Sequence, residues 1–444
     1  MAKPHTWFVI LPATFSLVCT HGTPVENMLA HSPPLPLTVD YRSGDGITAE
    51  DEEAILLALE QRHRVRHLRL CFPVQDLRKL VMAIDEEFPI LEYLVVQPLK
   101  KDNMTLMLPE TFQAPNLHHL MLSDFACPVR SRLHPTAAGL VTLFLMIKHP
   151  SAYFQPNVLL QSISFMPQLE SLVIIFTFPV PNRDVERQIT HSPTATHITL
   201  PNLRLFWFQG FSAYLEALVS RIATPCLEKL VIRLFGQLTF PVPRLPQFMN
   251  ITKNLMFDNA VIMFEEKETE VMMYSPEAGT FAFGLTVSCS HLDWQVSSVA
   301  QISNALTQVF SAVEHLTIIH DAHGQSSEEH NDVDRIEWRK LLGSFSNVKT
   351  LRVEGGLVEQ ISRCLRLEDG DLPLELLPEL QEFIYSGSGG DAGDAFTSFI
   401  DARQNAGHPV SLFHHSSSPS TSKPSSEAPA IPLMAGEAGI DTET

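Results

Sequence analysis

Cysteine is scarce in this sequence, and so is positive charge. Six cysteines, at positions 19, 71, 127, 226, 289 and 364, are spread over 444 residues with no CxxC pair. That spacing excludes the usual zinc motifs and is too sparse for a disulfide framework, so a reducing compartment is the default expectation. Lys and Arg total 31 against 50 Asp and Glu, a formal net charge of −19. So acidic a protein repels a phosphate backbone, and no local basic face offsets the repulsion. Nucleic acid and anionic membranes are therefore not expected partners. No apolar run reaches the ~18 residues that a membrane-spanning helix needs. What the sequence does have is apolar bulk: 45% hydrophobic against 18% charged residues describes a globular protein and excludes wholesale disorder.

At about 150 residues per domain the length would allow three domains, but the pattern divides the sequence differently. Residues 1–34 form an N-terminal segment, 35–413 a repetitive body, and 414–444 a tail rich in Ser, Thr, Pro, Gly and acid that is expected to be disordered. Lys3, the apolar run Trp7–Leu11 and Phe15–Val18 superficially resemble a secretion signal. Pro12 interrupts that run and no small-x-small cleavage site follows, so cytoplasmic or nuclear residence is expected and secretion is disfavoured. The sequons at Asn103 and Asn250 are common enough by chance to weigh little.

The body repeats one pattern: an apolar residue, another three later, and another two after that. It appears as Val65-Leu68-Leu70, Leu91-Leu94-Val96, Leu117-Leu120-Leu122, Leu140-Leu143-Leu145, Leu169-Leu172-Ile174, Leu203-Phe206-Phe208 and Leu227-Leu230-Ile232. It resumes as Val313-Leu316-Ile318, Val348-Leu351-Val353 and Leu380-Phe383-Tyr385. The first seven starts are 26, 26, 23, 29, 34 and 24 residues apart, close to the period of leucine-rich repeats. Proline stands two residues before the first apolar position at Pro89, Pro115, Pro167, Pro201, Pro225 and Pro378, where it would end a helix and open an extended segment.

Helical periodicity fills the gaps between these strands. Leu77, Leu80, Val81, Ile84 and Phe88 share one face, as do Leu215, Leu218, Val219 and Ile222, and Val299, Ile302, Leu306, Val309 and Phe310. Thr48 with Asp51 reads as the start of a helix holding Ile55, Leu56 and Leu59. One strand and one helix per repeat cannot bury an apolar face alone, so neighbours must stack. The expected fold class is α/β, a leucine-rich-repeat-like solenoid of parallel strands and helices, with an irregular β-rich stretch near 250–290. There Asn254–Phe257, Ala260–Phe264, Val271–Tyr274 and Thr280–Val287 are short β-type runs without helices between them. Residues 181–197 and 236–247 read as loops.

Several of these segments resemble a known family. Leu17–Val25, Pro33–Tyr41, Cys289–Val296, Val348–Val353, Leu372–Leu380 and Phe396–Gln404 are similar to the F-box-type leucine-rich-repeat proteins of mushroom-forming fungi, over roughly residues 17–413. The resemblance implies a solenoid that recognises a protein, like the substrate-recognition part of a ubiquitin-ligase receptor. An F-box is a helical module of about 45 residues ahead of such a region, and none is recognisable before Leu17. A Skp-type adaptor is therefore a doubtful partner, whether the module was lost or the start is truncated. A secreted or surface leucine-rich-repeat protein is the alternative reading.

Nothing in the residues spells an enzyme or a cofactor site. His320-Asp321-Ala322-His323 with Glu328, Glu329, His330, Asp332 and Asp334 could hold a divalent metal in principle, yet the spacing matches no metalloenzyme signature and reads as a solvated loop. Ser386–Asp391 is Gly-rich but lacks the Gly-Lys-Ser/Thr of a phosphate loop. His67, His119 and His315 are expected at solvent-facing strand positions. Because side chains alternate along a strand, the fifth position of each repeat faces away from the core, onto the concave face of a solenoid. There Val95, Met121, Phe144, Val173, Trp207 and Val231 form an apolar column. Either a protein partner docks on it, with Trp207 and Phe144 as anchors, or a loop such as 236–250, through Phe240, Leu245 and Phe248, folds over it.

Overall fold

The computed structural model describes residues 16–99, 105–126, 132–177, 197–236, 239–252, 254–276, 279–320, 333–366, 375–386 and 392–415. Its strands are β1 (Leu17–Cys19), β2 (Leu37–Arg42), β3 (Val65–Phe72), β4 (Tyr93–Pro98), β5 (Leu106–Met107), β6 (His119–Ser123), β7 (Phe125–Ala126), β8 (Thr142–Ile147), β9 (Ser171–Phe176) and β10 (Ile198–Thr199). They continue as β11 (Leu205–Gly210), β12 (Ile222–Ala223), β13 (Lys229–Leu234), β14 (Asn259–Phe264), β15 (Glu268–Tyr274), β16 (Phe281–Ser288), β17 (His315–His320), β18 (Thr350–Glu354), β19 (Glu382–Ser386) and β20 (Ser411–His414). Sixteen of them join one sheet in the order β1-β2-β3-β4-β6-β8-β9-β11-β13-β16-β15-β14-β17-β18-β19-β20. The protein is α/β with one large, mostly parallel sheet.

All ten segments marked by the Leu-x-x-Leu-x-Leu pattern are strands of this sheet, and the first seven pair in parallel in sequence order. Their fourth positions stand side by side: Leu68, Leu94, Leu120, Leu143, Leu172, Phe206, Leu230 and then Phe283 are direct neighbours in register. Each is at most 3% exposed. Helices cover this face. Val74–Met82 buries Leu77, Leu80 and Val81, and Ser212–Val219 buries Leu215, Leu218 and Val219, in the same core as the ladder. Thr48 caps the helix Ala49–Glu60 by accepting the Asp51 N–H, as the sequence suggests.

The recurrent proline has a more specific cause than helix termination. The N–H of the first apolar residue donates to the carbonyl three residues back, for example Leu91 to Phe88, Leu117 to Ala114 and Leu203 to Leu200. Proline therefore occupies the second place of a β-turn, where its fixed φ is already correct. Asn116 and Asn202 follow two of these prolines, and their amides donate to Pro89 and Pro167 of the preceding turn at 2.6 and 3.2 Å. The turns are thus stitched to one another as well as to their strands.

Some expectations need correction. The sheet starts at Leu17, ahead of the boundary expected at residue 35, because β1 pairs with β2 and turns Leu17 and Cys19 inward; Val25–His31 is a helix. At the other end β20 extends pairing to His414, and residues 416–444 lie outside the described part. Around 250–290 three runs, not four, are strands: Asn254–Phe257 carries none. β14, β15 and β16 form an antiparallel meander within the sheet, bounded by parallel pairings of β16 to β13 and β14 to β17. The helix Leu245–Ile251 leads from β13 into β14, and the helix Leu292–Ala305 leads from β16 back across the meander toward β17. A helix, Leu245–Ile251, begins inside the loop expected at 236–247, and Ile222 belongs to β12, not to the preceding helix. Two further short parallel pairs, β5–β7 and β10–β12, lie outside the large sheet.

Among the described cysteines Cys19, Cys71, Cys226, Cys289 and Cys364 are all free. Burial pushes the Cys19 and Cys364 thiols up to about 12, so they serve as apolar filler. Among the described residues no helix is long and apolar enough to cross a membrane.

Candidate functional site

The sheet face turned away from the helices carries the alternate side chains, and register fixes their neighbours. The fifth-position row runs Asp40, Arg69, Val95, Met121, Phe144, Val173, Trp207, Val231 and Gly284. The expected apolar column is therefore continuous, but it is not an open strip. Val95, Met121, Phe144, Val173 and Val231 are 2, 8, 5, 0 and 9% exposed; only Trp207 is half-buried. Val95, Met121, Phe144, Val173 and Cys71 form a second, smaller apolar cluster, with Tyr93, Met146, Ile175 and Trp207 packed against it. The bulky third- and seventh-position neighbours wall the column in.

Nor does the loop at 236–250 cover it. Phe240, Leu245 and Phe248 are buried in the main core on the helix side, where Phe248 meets the inward Phe206 ring at 6.4 Å. The column ends at Gly284. A β-carbon there would lie 2.5 Å from the Phe281 ring, which occupies that space and carries the Lys229 ammonium 4.8 Å from its centroid.

The accessible feature of this face is one row over. The third positions read Thr38, His67, Tyr93, His119, Thr142, Ser171 and Leu205, again direct neighbours in register. With Asp40, Arg69, Glu170 and Arg204 they line a recess of about 710 Å³. The rings of His67 and Tyr93 meet edge to face at 6.1 Å, and Tyr93 and His119 at 6.0 Å. Arg69 donates to the Tyr93 hydroxyl at 2.7 Å and to Asp40 at 3.4 Å, while Asp40 also accepts from Arg42 at 3.1 Å. Thr38 Oγ1 lies 3.2 Å from His67 Nδ1.

Electrostatics follow from this packing. Burial pushes the Asp40 carboxyl above its usual range, with Arg69 and His21 opposing. Burial works against the Arg69 charge too, but the Tyr93 hydroxyl and Asp40 outweigh it and hold its pKa high. Burial lowers His67, helped by Arg66, and lowers His119, helped by His118. Both imidazoles are neutral at pH 7 and can each offer a donor and an acceptor. His119 Nδ1 and Trp207 Nε1 are buried atoms with no hydrogen-bond partner among the described residues.

His315 is exposed on β17, outside this recess. His320 ends β17 and Asp334 caps the helix Arg335–Gly343, but residues 321–332 between them lie outside the described part, as do 387–391. Among the described residues no cluster of three or more His, Cys, Asp or Glu is placed to hold a metal. A second recess, about 740 Å³, lies between the helices Ser212–Val219 and Leu245–Ile251. Its carboxylate, the half-buried Glu216, accepts the N–H groups of Arg244 and Leu245 and so caps the second helix. That role is structural.

Sequence reasoning placed His67 and His119 on the correct face but missed the recess, because Asp40 and Tyr93 meet Arg69 only through register across three strands. Fold and site together define a large parallel-sheet α/β protein with one face covered by helices and a polar recess on the other. No protein-family model matches the sequence, and no curated protein matches it. A similar solved structure is the crystal structure of the leucine-rich repeat-containing protein LegL7 from Legionella pneumophila, at 11% identity over 81% of this protein and 97% of that one, with a TM-score of 0.27.

Proposed function

We propose that the protein is a leucine-rich-repeat-like solenoid that works as a non-enzymatic protein-interaction module, like the substrate-recognition part of an F-box ubiquitin-ligase receptor. The observation that carries the reading is the recess across β2, β3, β4, β6, β8, β9 and β11, lined in register by hydroxyl, imidazole, phenol and guanidinium groups over an apolar floor. A mixed surface of that kind, with aromatic and Arg side chains at its centre, is the composition of a recognition patch. His67 bonds a hydroxyl, Thr38 Oγ1, and His119 Nδ1 has no hydrogen-bond partner among the described residues, so both imidazoles have donor and acceptor capacity to offer a partner. The free cysteines, of which Cys19, Cys71 and Cys364 are buried, favour a reducing compartment, hence the cytoplasm or nucleus. The net charge of −19 disfavours nucleic acid and anionic membranes.

Trp207→Ala is a poor probe of this reading, because Trp207 packs on the Val173 cluster and its loss removes core contacts. Ser171→Trp is better: Ser171 lines the recess, is half-buried, and can be enlarged without emptying the core. In affinity capture followed by crosslinking, Ser171→Trp should reduce recovery of specific partners at least tenfold with a thermal midpoint close to the parent's. Met82→Ser, on an exposed helix position, should leave recovery unchanged. Equal recovery by Ser171→Trp and the parent would refute the reading.

A further inference from the structure

The shape of the recess limits what can fill it. Its lining comes from seven successive strands, and at about 4.8 Å per strand it runs roughly 29 Å across the sheet. Spread over that length, about 710 Å³ leaves a narrow trough rather than a round pocket. Roughly nine residues of extended polypeptide, at about 3.3 Å each, match it in length, whereas a compact ligand would leave most of it empty.

The two ends differ in charge. At the β9–β11 end Arg204 is neutralised by Glu228 at 2.7 Å, and Glu170 lies beside it. At the β2–β3 end two guanidiniums, Arg42 and Arg69, share the single carboxylate of Asp40, and the Arg69 contact is long at 3.4 Å. One positive charge there is under-compensated. It sits beside Tyr93 and the two neutral imidazoles, which can add donors to an incoming oxyanion.

We infer that the trough takes an extended peptide segment of about nine residues lying across the strands, with a carboxylate, either its own C-terminus or an Asp or Glu side chain, seated against Arg69. The inference rests on the protein-interaction reading and adds the partner's chemistry to it.

The test uses the full-length protein and a library of fluorescein-labelled nonapeptides read by polarisation. Each sequence is made with a free C-terminus, with a C-terminal amide, and with Asp and Glu replaced by Asn and Gln. Binders should lose at least tenfold in affinity when their carboxylate is removed, and which replacement does so identifies terminus or side chain. Arg69→Gln should weaken them at least tenfold, with its fold checked by thermal melting. Asp40→Asn should act in the opposite direction and tighten them, because it frees Arg69. Neutral peptides binding as well as acidic ones, or Asp40→Asn leaving affinity unchanged, would overturn the carboxylate seat. Absence of any binder while Ser171→Trp still abolishes partner capture would overturn the extended-peptide inference and leave the interaction reading intact. Undiminished capture by Ser171→Trp would remove both.

Discussion

Replacing Arg403 with methionine should lower the unfolding free energy by about 3–5 kcal/mol, a cost set by three carbonyls, two buried and one partly buried, that lose their donor together. Arg403 lies on the helix Ala392–Asn405 and is fully buried. Its guanidinium donates to the carbonyls of Leu377, Pro378 and Leu380 at 3.0, 2.9 and 3.1 Å. That turn holds Leu377 at φ +51°, a left-handed conformation that a leucine rarely adopts without support. Methionine keeps the apolar stem and removes the donors, so the loss reports on the hydrogen bonds. Lysine cannot reach three carbonyls from one ammonium and should recover only part of the stability. Urea titration measures both variants. A loss below about 1 kcal/mol for Arg403→Met would show that the turn does not depend on the clamp.

Leu172→Ala should cost about 2–5 kcal/mol, the range for a leucine whose side chain is fully enclosed. Leu172 is 0% exposed and stands between Leu143 and Phe206 in the inward ladder. Parallel pairing on both sides fixes its neighbours, so little collapse can refill the space. Leu94, Leu120 and Leu230 occupy equivalent places and should lose similar amounts in chemical denaturation. Losses below about 1 kcal/mol at several of these positions would mean that the register is wrong.

Much of this core is readable from the residues. The three-then-two apolar spacing locates ten strands because each inward position is enclosed by its own repeat and its two neighbours, a local condition. The six prolines are legible for a related reason: a β-turn needs the same backbone angle each time. Other features depend on distance through space. β1 is hidden because Leu17–Cys19 is too short to show a period, and only pairing with β2 reveals its role. Arg403 reads in sequence as any arginine on a helix. Its part becomes visible when the turn Leu377–Leu380 and the helix Ala392–Asn405 meet in space.

The candidate site divides in the same way. Alternation assigns Val95, Met121, Phe144, Val173, Trp207 and Val231 to the face away from the helices, and the register agrees. Exposure does not follow from alternation, because it depends on the height of neighbours such as Tyr93, Met146 and Ile175 on adjoining rows. The recess likewise needs Asp40, Arg69 and Tyr93 from three strands at once. No single repeat contains it.

Hydroxyl-radical footprinting of the protein with a purified, captured partner bears most directly on the claim that this face is the recognition surface. Tyr93, His67, His119 and Trp207 should lose reactivity severalfold on complex formation, while Met82 and Trp294, exposed on the helix side, should keep theirs. Protection of Met82 or Trp294 with unchanged labelling of Tyr93 and His119 would contradict it and move the interface to the helices.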